Sequence, residues 1–348
     1  MTAPLFITRD ETLLDELLRL AAAAGVTPDV ARDAGAALRA WTSAGLVLLG
    51  ADLAPELADL APTRRAGVHV VCWGRAPDEM FRLALAVGAH DVTTLPRSEG
   101  WVVEALTDLG DPTRPSGRVL GVVGGSGGAG ATTFACALGQ LAGRTGPTLV
   151  VDTDPLGPGV DRVLGLEAHD GVRWDALCQT TGRLSARSLR EAMPRRGAVG
   201  ALSWHAGMPG SLQAFAVREV LSAARRGHDT VVVDLPRSPD PLIEEIAARC
   251  DRLLVVAVPS VAGIASTSRL AARFRDHPGV ELVLRGHGVP PAEVSRVTGL
   301  PVVTSMADQR GLAEAIDLGL GPVRSRRGPL GRAALEVLTR LTVLGTAA

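Results

Sequence analysis

Two apolar patterns alternate along the chain. The first is a short unbroken apolar run closed by Gly, Pro or Asp, as in "GLVLLGADL" (45–53) and "VHVVCWG" (68–74). Such runs suit strands covered on both faces. The second is leucine and alanine recurring at helical spacing, as in "ETLLDELLRLAAAAG" (11–25) and "DEMFRLALAVGA" (78–89), which predicts amphipathic helices. "PLFITRD" (4–10), "VTPDVA" (26–31) and "HDVTTLP" (90–96) add three strands, and "DAGAALRAWTSA" (33–44) and "GWVVEALTDLG" (100–110) two helices. Five β/α units in about 110 residues predict a doubly wound, flavodoxin-like sheet.

The pattern breaks at "DLGDPTRPSGR" (108–118), where prolines, glycines and arginines stand between a helix and an apolar strand. That composition is a linker. The expected organisation is a domain over 1–110, a linker over 111–118 and a second domain over 119–348. The second domain starts with "RVLGVVGG" (118–125) as a strand, a glycine-rich loop, and "TTFACALGQLAGRTG" (132–146) as a helix. "TLVVDTDP" (148–155), "HDTVVVDLPRSPD" (228–240), "RLLVVAVPSVAG" (252–263) and "LPVVTSMADQRGLAEAIDLG" (300–319) supply further strands, two of them ending in aspartates. The whole reads as α/β, two doubly wound domains, the second with a mainly parallel sheet.

The loop "VVGGSGGAGATTF" (122–134) carries the candidate chemistry. Strand, glycine loop and helix in that order aim backbone N–H groups and the positive helix end at an anion, which suits a phosphate. Thr132 stands where a hydroxyl would ligate magnesium. The loop, "VVDTDP" and "VVVDLP", at these distances, resemble the MinD/ParA family of deviant Walker A ATPases over most of residues 118 to 345. The resemblance implies a P-loop NTPase domain that binds ATP or ADP with Mg2+ through Gly127, Gly128, Ala129, Gly130, Ala131, Thr132 and Thr133. It makes Thr132, Asp154 and Asp234 the magnesium positions, direct or through water, and Asp152 the candidate catalytic residue.

Two departures bear on catalysis. The family loop carries two lysines, and here they are Ser126 and Ala131. The second neutralises charge on the terminal phosphates, and the first reaches across a dimer to the partner's nucleotide. Charge stabilisation is nearly all the catalysis such sites perform, so weak nucleotide binding with weak or absent hydrolysis is expected. All 36 basic residues are arginine, and no lysine elsewhere can substitute. Arg237, directly after "DLP", reads as a solvated or structural arginine.

The first domain resembles a response-regulator (CheY-like) receiver. The acceptor aspartate expected after "LVLL" is Gly50, the hydroxyl expected after "VHVVC" is Trp73, and the lysine expected before Pro96 is Leu95. Asp10 alone remains near the acidic pair that would hold magnesium, and Asp52 lies two positions past the acceptor. This is a pseudo-receiver, expected to work by dimerisation or partner docking rather than by accepting phosphate.

A pseudo-receiver joined to a deviant MinD/ParA domain is the arrangement of the CpaE/TadZ pilus-localisation group and of actinobacterial septum site-determining proteins. That similarity implies a spatial regulator of cell division, with pilus-assembly localisation or an active ATPase on DNA or membrane as alternatives. The partners implied are cell-division or pilus-assembly proteins and a second copy of the chain as a homodimer.

Composition adds limits. A formal net charge of -1 gives no global reason for nucleic-acid binding. The arginine pairs at Arg195 and Arg196 and the cluster Arg324, Arg326 and Arg327 read as solvated loops, with DNA phosphates or anionic lipid the alternative. Cys72, Cys136, Cys178 and Cys250 are far apart and read as reduced and buried, and the seven histidines show no ligand spacing. "GPLGRAALEVLTRLTVLG" (328–345) is amphipathic, but only Arg332 and Arg340 are basic, which favours docking on the sheet over a membrane surface. The N-terminus lacks a signal-peptide pattern and no run spans a bilayer, so a cytoplasmic location is expected, with the membrane periphery, septum or pole as its refinement.

Overall fold

In the computed structural model of the protein, which describes residues 3–110, 117–179, 184–205 and 211–345, the chain divides into two compact units. The first comprises Met1–Pro115 with Gly182–Ser185, and the second Ser116–Thr181 with Ala186–Ala348. All but the last two residues of the linker expected at 111–118 lie outside the described residues.

The first unit runs β1 (Leu5–Ile7), α1 (Glu11–Ala23), β2 (Asp29–Ala31), α2 (Ala34–Trp41), β3 (Val47–Gly50), α3 (Ala54–Asp59), β4 (Val68–Trp73), α4 (Glu79–Ala86), β5 (Asp91–Leu95) and α5 (Glu99–Gly110). The strands pair in parallel in the order β2-β1-β3-β4-β5, the flavodoxin-like order. Side-chain alternation divides the core in two. Leu5, Ile7, Val47 and Leu49 join one apolar cluster, while Phe6 and Leu48 join another on the opposite face. The expected strand at 45–53 is shorter than its apolar run. It ends at Gly50, and α3 follows, with Pro55 in its first turn and Leu53, Ala54 and Leu57 buried at helical spacing.

The second unit runs β6 (Arg118–Gly124), α6 (Ala131–Ala142), β7 (Thr148–Asp152), α7 (Val160–Leu164), α8 (Trp174–Cys178), α9 (Ala186–Ala192), β8 (Arg195–Arg196), β9 (Val199–Leu202), α10 (Ala214–Gly227) and β10 (Thr230–Leu235). It continues through α11 (Pro241–Ala248), β11 (Arg252–Ala257), α12 (Val261–Arg273), β12 (Val280–Arg285), α13 (Pro291–Thr298), β13 (Val302–Met306), α14 (Leu312–Asp317) and α15 (Pro329–Gly345). The eight-stranded sheet has the order β13-β12-β11-β6-β10-β7-β9-β8, parallel except for the short β8 against β9. β6 is central, so the loop that follows it opens at the middle of the sheet's carboxyl edge.

Helix α6 lies tight on this sheet. A Cβ on Gly139 would stand 2.2 Å from Cγ2 of Val150. The C-terminal α15 also docks there. Leu330, Ala333, Ala334, Val337 and Leu341 are buried in the same cluster as Phe134, Leu138 and the inward residues of β6, β10 and β11. Among the described residues no helix is long and apolar enough to cross a membrane. The four cysteines are free, and three are buried. Cys178 departs from expectation by standing half-exposed, at the last position of the five-residue α8.

Candidate functional site

Parallel strands bring their carboxyl ends to one edge, and in this sheet the edge gathers Gly124, Asp152, Asp234, Ala257, Arg285 and Met306. The glycine loop runs from the end of β6 into α6. Gly128 and Gly130 take left-handed backbone, at φ +70° and +95°, which a side chain resists. Gly127 and Gly128 are exposed, with nothing within 4 Å of an added Cβ. The loop is fixed at its ends. The Gly125 N–H donates to Val256 O at 2.8 Å, and the Phe134 N–H to Gly130 O at 2.9 Å. Ala131 is half-buried, its methyl packed against the core beneath α6. Thr132 and Thr133 are half-buried in the first turn.

Asp152 ends β7, and Asp234, its partner in register, is the penultimate residue of β10. Burial pushes the Asp234 carboxyl up to about 8, with the Thr132 hydroxyl opposing and Asp152 and Asp154 pushing the same way as burial. Asp152 is also buried, and burial raises it to about 6 against three opposing hydrogen bonds. Its Oδ1 accepts from the Asp154 N–H at 3.0 Å; its Oδ2 accepts from the Ser203 hydroxyl at 2.8 Å and the Val160 N–H at 3.2 Å. The Trp174 indole N–H donates to the Asp152 carbonyl at 2.6 Å. Both carboxylate oxygens of Asp152 are therefore committed to holding the segment 152–160. Asp154 is half-exposed at the mouth, and its Oδ1 accepts from the Leu156 N–H at 3.0 Å. Two buried acids with raised pKa values and no cation between them make a site that gains from a bound positive charge.

Among the described residues no three His, Cys, Asp or Glu side chains stand close enough to hold a metal by themselves. The donor set is instead a hydroxyl and carboxylates beside a glycine cradle. That set suits a hard dication sharing its shell with phosphate oxygens and water.

Arg285 is the residue at this edge that no sequence motif marks. From the end of β12 its Nη1 donates to Gly128 O at 3.2 Å and Ala129 O at 3.3 Å, and its Nε to Asp308 at 2.8 Å. A guanidinium thus ties the loop's carbonyls to the strand two places away. Its signal in sequence is the run "VELVLR" (280–285), an apolar strand ending in a cation at the same edge. Arg237 donates to Ser266 at 2.9 Å and is exposed, a structural link to α12.

In the first unit, the position of a receiver acceptor is filled from elsewhere. A Cβ on Gly50 would lie 2.3 Å from Oδ1 of Asp52 and 2.7 Å from the Thr8 hydroxyl. Asp52 accepts from the Thr8 hydroxyl at 2.8 Å and from the Arg9 N–H at 2.7 Å. Asp10 caps α1, accepting from the N–H groups of Thr12 and Leu13. Trp73 is exposed and Leu95 is buried.

Comparison with known proteins matches this architecture. Residues 7–117 match the family model for the Rv3660c-like, CheY-like N-terminal domain. Over 348 residues the chain is 36% identical to the uncharacterized protein Rv3660c of Mycobacterium tuberculosis, covering 97% of each. Among solved structures, a ParA family ATPase from Chlorobium tepidum superposes with a TM-score of 0.57 at 17% identity, covering 64% of this chain and 97% of that one. The septum site-determining protein MinD of Pyrococcus horikoshii, solved with Mg-ADP, superposes with a TM-score of 0.53 at 17% identity, covering 66% and 97%. These likenesses give the second unit a MinD/ParA-type P-loop fold. The chain belongs to the family of Mycobacterium tuberculosis Rv3660c, with its CheY-like N-terminal domain.

Proposed function

We propose that the protein is a spatial regulator of cell division, a septum-site determinant, that binds magnesium nucleotide weakly and acts through protein partners. The observation that carries this reading is the pair of buried acids, Asp152 and Asp234, at the edge where a left-handed glycine loop has Ala131 and Ser126 in place of both lysines. Gly127, Gly128, Ala129, Gly130, Ala131, Thr132 and Thr133 would hold the phosphates of ATP or ADP, mainly through backbone N–H groups. Thr132, Asp154 and Asp234 would hold Mg2+, directly or through water, and the ion would supply the positive charge the buried acids lack. Asp152, with both oxygens engaged, acts as a positioning residue for that segment rather than as a base.

Loss of both lysines removes much of the transition-state charge stabilisation; one electrostatic donor is worth about 3 kcal/mol of barrier in comparable sites. The output is therefore occupancy read by partners, namely division proteins and a second copy of this chain. The MinD structure from Pyrococcus horikoshii gives the cell-division reading its precedent for this fold with Mg-ADP. The test is imaging of a fluorescent fusion in the native host. Division-site foci that disperse in Asp234→Ala support the reading. Polar foci beside pilus machinery would favour the pilus alternative, and foci indifferent to Asp234→Ala would overturn the dependence on nucleotide.

A further inference from the structure

A basic recess lies at the opposite, amino-terminal end of the same sheet. Its volume is about 270 Å3, and its lining includes Thr148 at the start of β7, Arg190 in the last turn of α9, Arg195 in β8, Gly197 in the following turn, and His228 after α10. Among the described residues no carboxylate lines it, the negative charge acting on His228 being that of its neighbour Asp229.

Several guanidiniums of this unit are paired: Arg218 with Glu245, Arg225 with Asp251, Arg249 with Glu245 and Arg285 with Asp308. Among the described residues Arg190 and Arg195 have no hydrogen bond or ion pair from their side chains. Arg190 is half-buried, so its charge has lost part of its water without gaining a partner. A carboxylate stands next to it in sequence, but Glu191 is turned to Arg187, at 2.9 Å. Arg195 and Arg196 point to opposite sides of the short β8. Arg196 donates to Gly319 O and Gly165 O as a structural tie, which leaves Arg195 on the recess.

His228 completes the set. It is buried, and its Nδ1 donates to Ala224 O at 3.0 Å, leaving Nε2 as the nitrogen that can gain a proton. Burial lowers its pKa, and Arg190 adds to that effect while Asp229 opposes it. A bound anion would offset the repulsion from Arg190.

We propose that this recess is a binding site for a phosphate dianion, presented as free phosphate, as a soluble phosphomonoester or as a lipid headgroup. Two unneutralised guanidiniums give a charge that one dianion balances, and arginine forks match phosphate oxygens in pairs. The site is independent of the glycine loop, which lies at the other end of the strands.

The experiment is calorimetric titration of the full chain with inorganic phosphate. A Gly130→Arg background keeps the glycine loop from contributing, because its backbone is left-handed and its Cβ would press on Arg285. The expected result is binding in that background, with affinity falling about tenfold or more in Arg190→Gln and in Arg195→Gln. Arg195 is exposed, so its replacement reads the site without endangering the fold. The melting temperature of Arg190→Gln without phosphate should equal or exceed that of the parent, since an unpaired half-buried charge is removed. A parallel arm measures sedimentation with vesicles of neutral lipid containing phosphatidic acid. Vesicle binding lost in both variants would assign the phosphate to a headgroup, and phosphate binding alone would assign it to a soluble ligand. Absence of phosphate binding in the Gly130→Arg background, or equal affinity in the variants, would overturn the proposal.

Discussion

Asp234 stands opposite Asp152 in the register of β10 and β7, and both side chains are buried, 3% and 1% exposed. Neighbouring buried acids cannot both ionise cheaply without a cation. Burial raises the pKa of both, so a cation bound here would be favoured.

A pH dependence follows. Asp234 has a folded pKa of about 8 against an ordinary value of 3.8. Between those values the native state holds a proton that the unfolded chain has released. A raised folded pKa contributes stability that is complete below the unfolded value and is lost as pH rises through the folded one. Stability of the ligand-free protein should fall from pH 4 to 8, with a slope approaching about 1.4 kcal/mol per pH unit for one proton. Asp234→Asn should flatten that slope. Urea denaturation at a series of pH values checks it, and equal slopes in the two proteins would contradict it.

Restoring charge to the loop should strengthen it. Ala131→Lys places an ammonium on a cradle whose glycines already admit phosphate. A charge-assisted contact contributes roughly 1.5–3 kcal/mol, so nucleotide affinity should rise about tenfold to a hundredfold. Turnover should recover less, because Ser126 leaves the other lysine absent. Ser126→Lys with Ala131→Lys should recover more, as read by steady-state phosphate release.

Arg285 holds the loop through the carbonyls of Gly128 and Ala129. Arg285→Ala frees that backbone without touching the N–H groups that face an anion. Nucleotide affinity should fall by a factor of about 3 to 10, an ordering cost of order 1 kcal/mol. Hydrogen exchange at Gly128 to Gly130 should speed up in the same variant. Unchanged exchange would show that the loop keeps its shape without the arginine.

The first unit should refuse phosphate. Incubation with a small phosphodonor followed by intact-mass measurement should show no added phosphoryl group, because Asp52 is held by Thr8 and Arg9 and Leu95 stands where the receiver lysine would be. Gly50→Asp should destabilise, since its Cβ would meet the Asp52 carboxylate at 2.3 Å. Adding Asp52→Gly should relieve most of that cost, read as recovery of the melting temperature.

Much of this was legible in the sequence. Unbroken runs such as "VVVD" and "LVLLG" announce strands covered on both faces, and acids at their ends fall on the sheet's carboxyl edge by topology alone. The glycine loop announces itself by composition. What stayed hidden depends on distance in the chain. Arg285 reaches the loop from a strand more than a hundred residues away, and the single cation in "VELVLR" has no periodicity to mark it. The occupation of Gly50's space by Asp52, and the commitment of both Asp152 oxygens, are packing facts that spacing does not encode. Helix α3 was hidden because Ala51 and Leu53 continue the apolar pattern past Gly50, where β3 ends.

A glycine loop that binds magnesium nucleotide but scarcely turns it over is tested most directly by calorimetric titration of the full chain with ATP, with and without Mg2+, paired with a steady-state phosphate-release assay. The expected result is measurable binding that needs Mg2+, is lost in Gly130→Arg and is accompanied by little or no turnover. Absence of nucleotide binding in both the wild type and Ala131→Lys, or brisk turnover abolished by Gly130→Arg, would contradict it.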